Sequence, residues 1–366
     1  MPIAFVYALV ALIPLVVGSR RQWRTWRLLA SPIVTFGVLA TIGLALTKAG
    51  FGVPPFAPFH PTRAAMGLLG LAAYGGLVWL PPAYLAIALR RRASRPLAGG
   101  IALVCFVSLG LATWGLVVEP STLRVRTETI RSPRAPARPL RILHLSDLQT
   151  DGPCRRERLA AGEAARSDVD LAIFTGDIAN DLYLDDREQK IAAVNAFFRS
   201  IRARYGTFLV RGDWDGWDDD WDVIERAMLE GTDVKVLANT SARLSIDGAE
   251  VVVYGMDGGP HANPHVADSS AAPGLRIIAM HHPDHVFDVP KGGADLVLAG
   301  HTHGGQVVLP LVGALITHSA RGFVGGRYDV DGVPLVISRG IGMRGGPAPR
   351  VRLGCPPEIG VITVSR

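Results

Sequence analysis

The sequence contains no acidic residue before Glu119, although Asp and Glu together number 32 in its 366 residues. The first 118 residues carry ten basic side chains, so the formal net charge of +6 comes from this part and the remainder is net acidic. A net acidic domain excludes a basic nucleic-acid-binding surface, and we expect no nucleic acid as a partner. The hydrophobic content of 49% excludes a disordered chain.

Cysteine is also scarce, with three residues in the chain. Cys105 lies in an apolar run, where we expect it to pack like a small hydrophobic residue. Cys154 and Cys355 could form a disulfide if their part of the chain faces an oxidising space. Two cysteines without a motif spacing do not indicate which compartment that is.

Four apolar runs fill the first third of the chain. They cover residues 2–18, 28–47, 64–89 and 97–118. A helix needs about 20 apolar residues to cross the hydrocarbon core, with about 17–25 observed. The runs show no polar face at helical spacing, as a soluble bundle would. We therefore predict an N-terminal four-helix transmembrane domain over residues 1–118, in a multi-pass protein of the cell membrane.

The arginines predict how this domain is oriented. Loops 19–27 and 90–96 hold four arginines each, whereas loop 48–63 holds only Lys48 and Arg63 as basic residues. Basic loops remain in the cytoplasm, so the catalytic part after residue 118 would be extracytoplasmic. Six arginines between residues 119 and 141 oppose this orientation, but several lie in a predicted strand.

Short runs rich in β-branched residues alternate with helical patterns in the rest of the chain. Helices are predicted at 155–166, 187–204 and 218–229, and the later strands follow one another without helices. This order predicts an α/β domain built as a layered α+β sandwich with a second sheet. We place a connector and first strand at 119–139 and the domain at 140–366. The core strands are predicted at 140–145, 170–175, 207–210, 251–254, 275–280, 294–299, 334–338 and 359–364.

Aspartate or histidine side chains follow five of these strands. A single Asp after a strand is usually a turn residue or a helix cap. Five strand ends that each present such a residue instead predict a metal centre, because loops at the carboxyl ends of strands converge on ligands. The residues are Asp147, Asp177, Asp213, His281, His301 and His303.

The stretches of sequence around these six residues resemble the calcineurin-like metallophosphoesterase family, and the resemblance covers residues 120–366. The most specific stretch is Gly-His301-Thr-His303-Gly-Gly-Gln at 300–306, which resembles the bacterial membrane-associated branch. The other matching stretches are Leu-Ser-Asp147-Leu-Gln149, Thr-Gly-Asp177-Ile-Ala-Asn180, Arg-Gly-Asp213-Trp214-Asp215 and His281-His282-Pro283-Asp284.

The resemblance implies a hydrolase with two divalent metal ions bridged by Asp177. It also implies a hydroxide between the ions that attacks phosphorus in line. One ion would bind Asp147, Gln149, Asp177 and His303, and the other Asp177, Asp213, His281 and His301.

The chain departs from the family pattern at three positions. Gln149 replaces a histidine ligand, and Asp213 replaces an asparagine. Trp214 replaces a histidine that would steady or protonate the phosphate, and an indole N–H does not titrate. Losing a general acid costs about 10²–10⁴ in rate. His282 is the nearest substitute, so we predict Asp177, Asp213 and His282 as catalytic residues, although His282 could equally be a simple loop residue.

Two further expectations concern the metals and the rim of the site. The oxygen-rich ligand set favours Mn²⁺ or Mg²⁺ over Zn²⁺ or Fe. The acidic and aromatic run at 215–222 is typical of a helix N-terminus. Alternatively, it forms an acidic rim that admits an uncharged or lipidic part of a substrate.

We therefore expect a membrane-anchored phosphoesterase that contacts the lipid bilayer and hydrolyses a phosphodiester or pyrophosphate bond, with a lipid-linked small molecule as substrate. A catalytically impaired metal- or phosphate-binding sensor or membrane scaffold is the alternative, because Gln149 and Trp214 both depart from the pattern. Transport is a weaker alternative, since the apolar runs contain no charged residue that would mark a pathway. The sequence predicts no particular oligomeric state.

Overall fold

The computed structural model describes most of the chain after residue 94. Of the predicted membrane helices, 2–18 and 28–47 lie outside the described residues, as does 64–89 apart from two residues. The chain divides into two compact units, and the second comprises Glu119–Arg344 and Val351–Arg366. The described residues are 95–150, 152–180, 187–216, 221–259, 273–344 and 350–366, with Ala86 and Leu89.

The described part of the first unit is a helix. Helix α1 runs over Arg95–Thr113 and continues as a π-helical segment over Trp114–Val118, so the fourth predicted helix is confirmed as helical. Among the described residues, one helical stretch, Ala102–Ser121, is long and apolar enough to cross a membrane, with a mean hydropathy of 1.9. Length and composition are the whole basis of that finding, and the core helix of a soluble protein meets the same criterion.

The second unit contains fourteen strands and three α-helices among its described residues. The helices are α2 (Arg155–Arg166), α3 (Arg187–Ser200) and α4 (Trp221–Leu229). The first seven strands are β1 (Arg124–Arg131), β2 (Leu140–Leu145), β3 (Leu171–Thr175), β4 (Thr207–Val210), β5 (Val234–Val236), β6 (Thr240–Ile246) and β7 (Ala249–Gly255). The others are β8 (Leu275–Ala279), β9 (Leu296–Ala299), β10 (Val308–Leu309), β11 (Gly313–Ala314), β12 (Gly326–Val330), β13 (Val333–Ile337) and β14 (Glu358–Ser365).

Two six-stranded sheets form the body of this unit. The first has the order β1-β14-β2-β3-β4-β5, with β2 to β5 parallel and β14 antiparallel to β2. The second has the order β12-β13-β9-β8-β7-β6, with parallel strands at its centre and antiparallel strands at both edges. The predicted second sheet is therefore confirmed, and β10 and β11 form a separate hairpin.

Side-chain alternation explains how the layers pack. In β2, Leu140 and Ile142 contribute to the core shared by strands of both sheets, whereas Leu143 and Leu145 join the core formed with the helices. All four side chains are fully buried. Burying a Leu or Ile side chain contributes about 1.5–3 kcal/mol, so the period-two pattern of this strand holds three layers together.

Several element boundaries differ from the prediction. Helix α2 begins and ends as predicted, but α3 ends at Ser200 instead of residue 204. The following residues leave the helix because Arg204 N donates to Val169 O and Tyr205 N to Asp170 O, which connects them to the start of β3.

Cys154 and Cys355 are free thiols, so the disulfide that the sequence left open does not form.

Candidate metal centre

Six aspartate and histidine side chains from the ends of both sheets meet in two groups. Within each group the ligand atoms lie within 4.8 Å of one another. The prediction that these strand ends converge is confirmed by this arrangement. Asp213, His281 and His301 form the first group, and Asp147, Asp177 and His303 form the second.

The first group converges on a single point. His281 Nε2 lies 3.1 Å from Asp213 Oδ1 and 3.4 Å from Asp177 Oδ1, which belongs to the second group. His301 Nδ1 lies 3.2 Å from Asp213 Oδ1 and 3.2 Å from His281 Nε2. Two imidazole nitrogens and carboxylate oxygens aimed at one point form a donor set that a divalent cation fits.

The second group contains ligand atoms without hydrogen bonds. His303 Nε2 lies 3.3 Å from Asp147 Oδ1. Both ring nitrogens of His303, and Gln149 Oε1, lack a hydrogen-bond partner among the described residues, although both side chains are buried. Each buried unsatisfied polar atom costs about 1–3 kcal/mol, and a bound ion would remove that cost. The residues of this group therefore also fit a metal ion.

Gln149 contacts the residue that lies between the two groups. Its Nε2 donates to Asp177 Oδ2 at 2.8 Å. The oxygen and nitrogen of an amide exchange places when the side chain rotates, so this orientation is an assignment from the hydrogen-bond network. Gln149 can thus serve Asp177 as a donor or, with the amide rotated, offer an oxygen to a metal.

The loops that carry the two candidate ligand groups contain a cluster of left-handed backbone conformations. This conformation costs a non-glycine residue about 1–3 kcal/mol and is retained where the surrounding structure enforces it. Its concentration here indicates that the loops are held for function. The φ angles are 50° for Asp147, 38° for Gln149, 61° for Asp177, 69° for His301 and 50° for His303.

Two glycines allow the loops to approach this closely. A Cβ on Gly176 would lie 2.7 Å from His281 Nδ1 and 2.6 Å from Gly212 N, and its φ of 88° is left-handed. A Cβ on Gly340, with φ of 73°, would lie 2.7 Å from Asp147 Cβ. Any side chain at these positions would displace a metal-ligand residue or its neighbour.

Hydrogen bonds fix the orientation of the ligands. His281 Nδ1 donates to Thr175 O at 2.7 Å, which directs Nε2 toward the carboxylates. The Asp147 carboxylate accepts from Ser146 Oγ at 2.5 Å and from His301 N at 3.2 Å. Burial raises the pKa of Asp147 to about 6, with Asp177 adding to the shift and His281 opposing it. A nearby cation would restore its ionised form.

Asp215 is a site residue to which the sequence analysis gave no role, although it ends the matching stretch Arg-Gly-Asp213-Trp214-Asp215. It is fully buried and accepts hydrogen bonds from Asp177 N at 2.8 Å, Ile178 N at 2.9 Å and Gly212 N at 2.9 Å. Burial, followed by the charge of Asp177, raises its pKa to about 7. The expectation that Asp215 lies in an acidic helix start or rim is wrong, because it connects the loops after β3 and β4. Residues 217–220 of that run lie outside the described residues.

Arg344 is the second site residue that the sequence did not reveal. Its Nη2 lies 3.7 Å from Asp213 Oδ2, and its Cζ lies 5.1 Å from the centre of the Trp214 ring. Gln306 holds its backbone from both sides, accepting from Arg344 N at 2.6 Å and donating to Arg344 O at 2.8 Å. The terminal Gln of the 300–306 motif was the available signal, but its partner lies in a distant segment.

His282, the predicted substitute acid, lies beside the first group. Its ring centre is 3.6 Å from that of His301. Burial, together with the charges of His301 and His281, lowers its pKa to about 2. The side chain is therefore neutral at pH 7, where it offers a neutral N–H donor. Its catalytic role stays a prediction.

Comparison with known proteins agrees with this geometry. Residues 140–305 match the family described as calcineurin-like phosphoesterase. The chain is 28% identical over 287 residues to the uncharacterized metallophosphoesterase YkuE of Bacillus subtilis (strain 168), covering 75% of this chain and 97% of that protein. The uncharacterized metallophosphoesterase YkoQ of the same organism is 26% identical over 232 residues, which cover 60% of this chain and 82% of that protein. Phosphodiesterase YaeI of Escherichia coli (strain K12) is 34% identical over 85 residues, which cover 23% of this chain and 30% of that protein.

The fold and the two ligand groups define a metal-dependent hydrolase with a mixed α/β architecture. Residues 140–305 match a calcineurin-like phosphoesterase domain and the similar proteins are named metallophosphoesterases, so the chain is a hydrolase that acts on phosphoester bonds. The calcineurin-like domain expected from the sequence is thus matched over residues 140–305.

Proposed function

We propose that this protein is a membrane-anchored phosphoesterase that hydrolyses a phosphodiester or pyrophosphate bond of a lipid-linked substrate. The observation that carries the proposal is the convergence of the two ligand groups, in which His281 Nε2 lies 3.4 Å from Asp177 Oδ1. The Escherichia coli relative is named a phosphodiesterase, which supports a diester as the reacting bond.

The ligand groups suit two divalent ions, with oxygen donors that favour Mn²⁺ or Mg²⁺ over Zn²⁺ or Fe. Bound there, the ions supply positive charge to the phosphoryl oxygens and lower the pKa of a water molecule to near neutrality. One ion would be held by Asp147, Gln149, Asp177 and His303, and the other by Asp177, Asp213, His281 and His301.

Arg344 supplies the fixed positive charge that Trp214 cannot. A guanidinium group binds phosphate oxygens through two parallel hydrogen bonds and stacks on aromatic rings. Here it stacks on Trp214, lies 3.7 Å from Asp213 Oδ2 and is anchored through its backbone by Gln306. Arg344 would therefore bind the reacting phosphoryl group and stabilise the charge that develops on it.

Arg344→Ala should lower kcat/KM for a phosphodiester about 100-fold, the loss typical when one donor to a developing oxyanion is removed. Arg344→Lys should recover only part of the rate, because an ammonium group cannot make two parallel hydrogen bonds. Steady-state kinetics of both variants measure the effect. Arg243→Ala, at an exposed ion pair with Glu250, is the matched control, and equal rates in Arg344→Ala and this control would refute the role.

Membrane anchoring is supported by the helix that precedes the domain. Phe106 is 77% exposed and Leu103 is 63% exposed on α1, and Val117 is 61% exposed in the π-helical segment. Large apolar side chains exposed along one helix are typical of a surface that contacts lipid. The arginine-rich loops 19–27 and 90–96 favour an extracytoplasmic position for the catalytic domain.

A second candidate is a metal- or phosphate-binding sensor without turnover. The observation that favours it is the hydrogen bond from Gln149 Nε2 to Asp177 Oδ2, which occupies a carboxylate oxygen of a predicted metal ligand. Trp214 in place of a titrating residue points the same way.

Hydrolysis of bis(p-nitrophenyl) phosphate by the full chain in detergent distinguishes the two candidates. The protein is first freed of metal with a chelator, and Mn²⁺, Mg²⁺ or Zn²⁺ is then added. We expect activity to return with Mn²⁺ or Mg²⁺ in preference to Zn²⁺. Calorimetric metal binding without hydrolysis by any ion would support the sensor instead.

A further inference from the structure

The hairpin formed by β10 and β11 exposes an unusual amount of apolar surface. Leu311 is 108% exposed, Val312 68%, Leu315 53% and Ile316 50%, and Leu311 has a left-handed φ of 68°. Residues 307–317 contain no charged side chain. Single exposed apolar residues are ordinary on a protein surface, but four on one short hairpin mark an interaction surface.

The base of this hairpin packs on the metal-binding loop. A Cβ on Gly305, two residues after the ligand His303, would lie 2.6 Å from Ala314 Cβ and 2.9 Å from Ile316 O. Within the hairpin, Leu315 N donates to Val307 O at 3.0 Å. The exposed tip is therefore part of a segment held against the loop that carries His303.

The hairpin base also lies beside the point where the chain enters the domain. Glu119 is the first residue of the second unit, and its carboxylate accepts from Gly354 N at 3.0 Å and from Cys355 N. A Cβ on Gly354 would lie 3.6 Å from Val308 Cβ at the start of the hairpin. The first residue of the second unit and the hairpin thus share Gly354 as a neighbour.

A basic residue in the segment after the hairpin lies against an exposed aromatic ring. The exposed Arg321 places its Cζ 4.7 Å from the ring centre of Phe287, which is 47% exposed. Arginine combines an apolar stem with a charged end, which suits the boundary between lipid chains and headgroups, and the exposed Phe287 ring adds apolar surface beside it.

We propose that hairpin 307–316 inserts into the lipid bilayer that the preceding apolar helix crosses. The acyl-chain region would receive Leu311, Val312, Leu315 and Ile316, and the metal loop at the hairpin base would face the headgroup layer. A lipid-linked phosphate could then reach the metal centre without leaving the bilayer. The membrane anchor and the choice of substrate rest on the proposed function, whereas the insertion itself does not require catalysis.

Fluorescence quenching tests the insertion in the full chain reconstituted in nanodiscs. A Leu311→Cys variant is labelled with an environment-sensitive fluorophore, and the lipids carry a quencher on their acyl chains. Val223→Cys, on an apolar residue of α4 that is 57% exposed, is the matched control. Labelled wild-type protein gives the contribution of the native cysteines.

We expect the label at position 311 to show blue-shifted emission and strong quenching by the lipids, and the label at 223 to show neither. Equal quenching at both positions would overturn the proposal. So would a label at 311 that responds only to a water-soluble quencher, or one shielded from both quenchers by a second copy of the chain.

A kinetic comparison tests the consequence for the substrate. The probes are a diacyl p-nitrophenyl phosphodiester in the nanodisc and the soluble bis(p-nitrophenyl) phosphate. Replacing Leu311 and Val312 by Asp should lower kcat/KM for the lipid probe about tenfold, the scale of losing apolar burial, with no change for the soluble probe.

An equal fall for both probes would contradict the proposed role of the hairpin. If the wild-type protein hydrolyses neither probe, the proposed function fails. The quenching result still decides whether the hairpin is inserted, so the two failures are distinguishable.

Discussion

Asp177→Asn should lower metal-dependent phosphodiester hydrolysis by more than about 100-fold, because losing only an outer partner of a metal ligand costs 10–100-fold. Asp177 belongs to one ligand group and lies 3.4 Å from His281 of the other, so both groups depend on its charge. Its Oδ1 accepts from Trp214 N and its Oδ2 from Gln149 Nε2. The side-chain NH₂ group of an Asn at this position would face either Trp214 N or Gln149 Nε2, so a donor would meet a donor.

Initial rates over a range of Mn²⁺ concentrations, with metal content per protein determined by elemental analysis, measure the effect. Asp247→Asn makes the same chemical change on a side chain that is 39% exposed and forms an ion pair with Arg138, outside the two ligand groups. We expect this control to keep the wild-type rate and metal content, since surface ion pairs contribute little. Equal rates in the two variants would remove Asp177 from the metal centre.

Asp215→Ala should lower the free energy of unfolding by about 3 kcal/mol or more, because each buried N–H group left without an acceptor costs about 1–3 kcal/mol. Three such groups, on Asp177, Ile178 and Gly212, donate to this carboxylate. The same change should weaken metal binding, since two of the three N–H groups lie in the loop that carries the ligand Asp177.

Chemical denaturation followed by near-ultraviolet circular dichroism measures the stability of this variant. Asp222→Ala, at a side chain on α4 that is 87% exposed, is the matched control and should unfold like the wild type. Asp215→Asn keeps one acceptor oxygen and should fall between Asp215→Ala and the wild type. A midpoint for Asp215→Ala equal to that of Asp222→Ala would show that the three hydrogen bonds do not contribute to stability.

The sequence predicted those parts of the fold that depend on local pattern. Strands β2 and β4 have the predicted bounds, because a buried run of mostly apolar residues marks each of them. The candidate ligands were also predicted, because each comes shortly after a buried strand. Strand β6 escaped prediction because it forms a sheet edge, and its residues alternate between exposed and half-buried. Strand β5 is only three residues long, which is too short for a recognisable period.

The missed site residues depend on contacts between distant segments. Asp215 stands in an acidic run whose composition indicates a surface, and it is buried because the loops after β3 and β4 both donate to its carboxylate. Arg344 reaches the site because Gln306, 38 residues earlier, binds its backbone. No periodicity or spacing within either segment encodes such a partner.

The position of β14 between β1 and β2 has a consequence for the newly made protein. The ribosome delivers β1 and β2 long before β14, so the nascent chain carries two strand edges whose shared neighbour has not yet been synthesised. Unpaired edges readily join other chains, and a long-range pairing of this kind forms slowly. Gly340, which packs on Asp147, also emerges late. The candidate metal-binding pocket therefore cannot be completed until Gly340 and β14 have been synthesised.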